Sequence, residues 1–206
     1  MSEPSIKGST FQGVVEDLHA AIAQGDISLE DAETRLEPAD HPFLDPEMKT
    51  LPGSWYPIES YRRVVELLLD VVGHGDSAYL VKRGENAAVR LHEAGFYQQL
   101  EYVGRINESR GGGKATLLSL KSQLRLIISV ARSIYNFGEW NVEVDNDRLR
   151  IVVSDARALP DISVLTIEGF MNKMGEFSDS PTPVRWESQR PSRERVEFTM
   201  SAPISE

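Results

Sequence analysis

Four histidines, one glycine-rich basic loop, one basic helix face and a set of aromatics are the residues whose types could do chemistry here. His19, His41, His74 and His92 are isolated, and no two stand at the i, i+4 spacing that aims two imidazoles at one metal. Arg110-Gly111-Gly112-Gly113-Lys114 precedes a helical pattern, where free N–H groups and the helix dipole favour an anion. A phosphate loop requires glycine five residues before its Gly-Lys pair and Ser or Thr after it, but Glu108 and Ala115 occupy those places. The loop therefore suits a flexible connection first and an anion or nucleotide site second. Lys114, Lys121, Arg125 and Arg132 recur along one face of the following helix. They are either solvated and paired with nearby carboxylates or a dock for an acidic protein partner or an anionic ligand. Trp55, Tyr56, Phe96, Tyr97, Trp140 and Phe170 either line an apolar small-molecule pocket between helices and sheet or are plain core. Gly-x-Ser-x-Gly is absent, and abundant acids on an acidic surface do not make a catalytic pair. The expectation is that the protein is not an enzyme.

The elements that must position these groups are legible from periodicity. Leu117, Leu120, Leu124, Ile127, Ile128, Ala131, Ile134 and Tyr135 follow the i, i+3, i+4, i+7 spacing of a helix with one buried stripe. Trp140, Val142 and Val144 then alternate with polar residues, as do Leu149, Ile151 and Val153 after Asn146-Asp147, which predicts an antiparallel hairpin. Pro160-Asp161 open a helix with Ile162, Leu165, Gly169, Phe170 and Met174 inward, and Val184/Trp186 with Val196/Phe198/Met200 predict a second hairpin. The predicted fold is α+β: N-terminal helices packed on a four-stranded antiparallel sheet made of two hairpins separated by a helix. Residues 1–9 are expected to be a loose arm, 10–113 a helical half and 114–202 the helix–hairpin–helix–hairpin core of a single domain. Within the helical half, Phe11, Val14, Val15, Leu18 and Ile22 mark a helix ended by Gly25, and Ser28 is placed to cap another. Residues 37–57 should lie over the surface as a loop anchored by Phe43, Leu44, Met48 and Leu51. Tyr61, Val64, Val65, Leu68 and Leu69 continue a third helix, and Asp76 can cap a fourth.

Composition removes several function classes. Without cysteine there are no disulfides, thiolate metal sites or thiol nucleophiles. A net charge of −10 opposes generic nucleic-acid binding, which draws on a basic surface to release counterions from phosphate. No run of apolar residues is long enough to span a bilayer, and Met1-Ser2-Glu3-Pro4 lacks the basic and apolar regions of a secretory signal, so a cytoplasmic protein is expected.

Short motifs over nearly the whole length resemble a bacterial protein family with many copies in Myxococcus and its relatives. They are Lys7-Gly8-Ser9-Thr10-Phe11, Arg35-Leu36 ahead of an acidic-proline loop, Ser54-Trp55-Tyr56-Pro57 and Tyr135-Asn136-Phe137-Gly138. The Trp140–Val144 strand, the helix with Glu168-Gly169-Phe170 and a strand pair closing on Phe198 complete the set. That family is similar in plan to heme-nitric-oxide-binding, vinyl-reductase-like and transport-particle subunit domains, which implies a small-ligand sensor or dimeric scaffold. The heme sensors carry Tyr-x-Ser-x-Arg for the propionates and the vinyl-reductase-like domains often carry cysteines near the last hairpin; this chain has neither. No cofactor is therefore expected, with heme as the alternative and His92 its axial ligand.

The reading that follows is a sensory or scaffold domain, a homodimer without membrane insertion or nucleic acid. A small apolar or anionic ligand in the helix–sheet cleft would shift helix packing and with it a partner surface. The alternatives are a ligand-free protein-interaction module and a heme gas sensor.

Overall fold

Among the described residues, the stretches with a strong apolar period fold as that period demands. A computed structural model describes residues 2–93, 95, 117–145, 148–177 and 185–201, with backbone alone at 117–123, 125–126, 144–145 and 148. Helix α1 (Gly8–Gln24) buries Phe11, Val14, Val15, Leu18 and Ala21 on one side. It stops at Gly25, whose φ of 80° is a left-handed conformation that glycine adopts without a Cβ clash. Helix α2 (Leu29–Arg35) is capped by Ser28 Oγ, which accepts the Asp31 N–H at 3.0 Å. A 3-10 turn over Pro38–Leu44 leads to β2 (Trp55–Pro57), the partner of β1 (Ser5–Lys7), and then to α3 (Ile58–Val71). Helix α4 (Ala78–Glu93) starts where Asp76 Oδ1 accepts the Ala78 N–H at 2.9 Å.

The second half is α5 (Leu117–Ile134), the hairpin β3–β4 (Glu139–Asp145, Arg148–Ser154), α6 (Asp161–Glu176) and the hairpin β5–β6 (Trp186–Ser192, Arg195–Met200). The sheet is antiparallel throughout, in the order β3-β4-β6-β5, so the two hairpins join through their second strands. Trp140, Ile151, Val153, Val196, Phe198 and Trp186 are all buried and belong to one continuous core with the helices. The opposite face carries a charge ladder. Arg195 Nε donates to Glu197 at 2.6 Å, Gln189 Nε2 donates to the same carboxylate at 2.9 Å, and Arg150 lies 3.5 Å from it. The fold is thus α+β, as the alternation implies. Among the described residues, no helix is long and apolar enough to cross a membrane.

Two expectations need correction. Residues 5–7 are no loose arm: they form a strand paired antiparallel with Trp55–Pro57, and Ile6 is completely buried and bridges to Tyr135. Asn136 Oδ1 accepts the Ser5 N–H at 2.7 Å, tying the N-terminus to the end of α5. One apolar residue among small polar ones shows no period, so only pairing reveals this strand. Leu51 is no anchor either, being 61% exposed, whereas Phe43 and Leu44 are buried as expected. The turn around Leu51 presents backbone, not side chain, to the protein: its N–H donates to the Tyr56 hydroxyl and its carbonyl lies against Gly8.

Helices α4 and α6 approach closest. A Cβ on Gly84 would sit 1.9 Å from Thr166 O, and one on Gly169 would sit 2.0 Å from Val81 O. The two backbones touch there, and this crossing fixes the side chains beside it.

Candidate functional site: a buried hydroxyl–guanidinium hub

Beside that crossing a run of five polar side chains leads from the apolar core to the half-exposed Asp17. Tyr61 comes from the inner stripe of α3 and Arg83 from that of α4, next to Gly84. Tyr135 follows the last residue of α5, Ser163 sits in the first turn of α6 between Ile162 and Val164, and Asp17 lies beside Leu18 on α1. Arg83 Nη1 donates to Asp17 in a close ion pair. Burial pushes the Tyr61 phenol up, and the Arg83 charge and the Ser163 hydroxyl pull it back only in part. Burial likewise pushes Tyr135 far up against a small pull from Ser163. Burial would lower Arg83, but the neighbouring Tyr61 and Asp17 and a hydrogen bond to Tyr79 outweigh it. Both phenols are therefore neutral and the guanidinium charged at neutral pH.

The hub is incompletely bonded. Tyr61 and Tyr135 both bring hydroxyls to Ser163, yet Ser163 Oγ, which is 0% exposed, closes no hydrogen bond of ordinary length and angle. Arg83 Nε is buried and equally without an acceptor. Unmet buried polar atoms cost about 1–3 kcal/mol each, so such a concentration calls for an explanation.

The aromatics singled out from the sequence do not converge. Trp55 is 43% exposed with Lys7 Nζ 4.1 Å from its ring centre. Tyr56 joins Phe11 and Phe43 in an edge-to-face cluster under α1. Trp140 stacks between Tyr135 and Phe198 on the sheet, and Phe170 packs beside the Gly84 crossing on α6. Phe96 and Tyr97 lie outside the described residues, as do Arg110 and Lys114 of the basic loop. Lys121 and Arg125 lie on α5 with side chains outside the description. Arg132 is exposed and donates to Trp140 O at 2.7 Å, so it serves its own fold. An open hollow of about 450 Å³ lies beside Arg132, Asn136 and Asn141, and another of about 330 Å³ lies among Arg62, Arg157, Arg190 and Arg193.

The histidines are equally dispersed. His19 Nε2 donates to Phe43 O at 2.8 Å and His41 Nε2 to Glu33 O at 3.1 Å. His74 occupies a turn at φ 52°, and His92 stacks on Phe177 at 4.3 Å. Among the described residues, no group of three His, Cys, Asp or Glu could hold a metal. Sequence reasoning placed Tyr61 and Tyr135 in buried stripes but missed Arg83, Asp17 and Ser163. The one available signal was Arg83 itself, a charge on the i, i+3, i+4, i+8 stripe of Leu80, Gly84 and Ala88.

No protein-family model matches the chain, and no curated protein matches it by sequence. Solved structures do. The chain is similar to the Fe(II) unliganded H-NOX protein from K. algicida at 13% identity and TM-score 0.55, over 98% of this chain and 97% of that one. It is similar to a Cs H-NOX variant carrying 4-cyano-L-phenylalanine at 12% identity and TM-score 0.58, over 98% of this chain and 100% of that one. An H-NOX point mutant from T. Tengcongensis gives 11% identity and TM-score 0.54, over 97% of this chain and 100% of that one. At such identities the likeness shows the fold alone. The fold is H-NOX-like, which bears out that part of the resemblance seen in the sequence.

Proposed function

We propose that this chain is a non-enzymatic sensory domain in which the N-terminal helices form a movable cap over α6 and the sheet. A small ligand seated in the hub would tighten α3 and α4 on α6 and so change the surface offered to a partner, which in this reading includes a second copy of the chain. The observation that carries it is the unmet pair Ser163 Oγ and Arg83 Nε, buried where the two halves meet. The H-NOX-like fold supports a sensor over an enzyme.

Among the four histidines heme has one candidate ligand, His92. Cysteine is absent, His19 and His41 are bonded to backbone carbonyls and His74 sits in an exposed turn, whereas His92 stacks on Phe177 with its Nδ1 buried and unpartnered. In this reading ligand recognition is assigned to the hub's own hydrogen-bonding atoms, and heme held by His92 is the second reading, favoured by that unpartnered Nδ1.

The reading is tested with Ser163→Ala. Removing an unpartnered buried hydroxyl should stabilise the empty protein by about 1 kcal/mol in urea unfolding. Native mass spectrometry of the parent protein from its native cells should show a small-molecule adduct that Ser163→Ala lacks. A destabilised Ser163→Ala together with no adduct on the parent contradicts the proposal.

A further inference from the structure

The hollow of about 330 Å³ away from the hub concentrates positive charge in a protein whose net charge is −10. Arg62, Arg157, Arg190 and Arg193 line it against the carboxylates of Glu66 and Asp161. We propose that this hollow docks an acidic segment of a partner protein, a short run of glutamate or aspartate around an aliphatic residue. The surface lies outside the hub, so the proposal goes beyond the sensory reading and stands or falls without it.

The arginines have donors to spare. Arg62 gives Nε to Glu59 at 2.8 Å and Nη1 to Glu66 at 2.7 Å, and Arg157 gives Nε and Nη2 to Glu194. Arg62 Nη2, Arg157 Nη1 and the whole Arg193 guanidinium close no hydrogen bond or ion pair among the described residues. The Arg157–Glu194 pair is moreover 62% and 60% exposed, so water already screens it and an incoming carboxylate displaces Glu194 at little cost. Arg190 plays a different part. Its Nε donates to Asp161 at 2.6 Å, and its Nη1 donates to Ala156 O at 3.3 Å and Arg193 O at 3.4 Å. It thereby braces the 3-10 turn Ala156–Ala158 against the β5–β6 hairpin and sets where Arg157 and Arg193 stand. Guanidinium forks match carboxylates two bonds at a time, which favours acidic side chains as the occupant. The charge is spread over a helix, a turn and a hairpin, so a chain with several carboxylates meets more of it than one small anion does. Pro160 and Ile162 give the hollow an apolar side for the aliphatic residue.

The test is fluorescence anisotropy of the full chain with a labelled, capped peptide of glutamates flanking a single leucine. Its glutamine counterpart is the control and citrate the small-anion competitor. The acidic peptide should bind, more weakly as sodium chloride is raised, and the glutamine peptide should not. Arg157→Glu and Arg193→Glu should each lower affinity about tenfold. Lys49→Glu makes the same change of net charge at an exposed position outside the hollow, and should leave affinity within about twofold of the parent. No binding of the acidic peptide, equal binding of the glutamine peptide, or a loss in Lys49→Glu as large as in the arginine variants overturns the proposal. Citrate that competes as tightly as the peptide binds also overturns it, by assigning a small-anion site instead. Peptide binding that persists when no adduct is found on the hub leaves this proposal standing and counts only against the sensory reading.

Discussion

Replacing Gly84 by alanine is expected to lower stability by about 3 kcal/mol or more, since overpacking against backbone has no side chain to give way. The added Cβ would meet Thr166 O at 1.9 Å and Phe170 N at 2.6 Å. Helix propensity alone argues for the opposite sign, because glycine inside a helix is about 0.5–1 kcal/mol worse than alanine. For a chain of this size the loss corresponds to a melting temperature about 6–12 °C lower. Urea unfolding of Gly84→Ala decides between them, and a variant as stable as the parent or better would mean that α4 and α6 do not touch at this residue. The hub depends on the same contact, for Arg83 and Ser163 belong to the two helices that cross there.

Arg63→Ala is expected to cost about 3–5 kcal/mol near pH 7, the range for leaving one member of a buried ion pair alone. Asp40 is 0% exposed in the 3-10 turn, and Arg63 on α3 grips it with Nε at 2.5 Å and Nη2 at 3.0 Å. Burial pushes the Asp40 carboxyl up, but hydrogen bonds from Arg63 and Ser60, with the Arg63 charge, hold it below its ordinary value of 3.8. A carboxyl depressed in the folded state stabilises it fully above the unfolded value, and that contribution fades as pH falls through the folded value. In Arg63→Ala burial loses its main opposition, so the folded carboxyl should titrate above the unfolded one and favour the protonated fold. The gap between parent and variant should therefore be widest near pH 7 and narrow as the pH approaches about 4. Unfolding of both proteins across that range checks it, and a gap that stays constant or widens in acid would contradict the pairing.

Much of the architecture is legible because burial imposes a period. The stripes of α1, α3 and α5 and the alternation of both hairpins appear in the residues themselves, and so do the stops at Gly25 and the cap at Ser28. Strand order is not legible: β4 pairs with β6 through Ile151 and Phe198, residues far apart in the chain with no local mark of partnership. The site is less legible still. An aromatic announces that it prefers burial, not which neighbours will bury it, so Tyr56, Trp140 and Phe170 part into separate clusters. Ser163 and Arg83 resemble surface residues by type, and only the convergence of α3, α4 and α6 turns them into an interior polar group.

Hydrogen–deuterium exchange of the full chain carrying its native small-molecule adduct, against the same chain freed of it by unfolding and refolding, tests most directly whether filling the hub closes the helical cap. The account predicts slower exchange confined to α3, α4 and the first turns of α6, and abolished by Ser163→Ala. Unchanged exchange there, or uniform slowing that persists in Ser163→Ala, would contradict it.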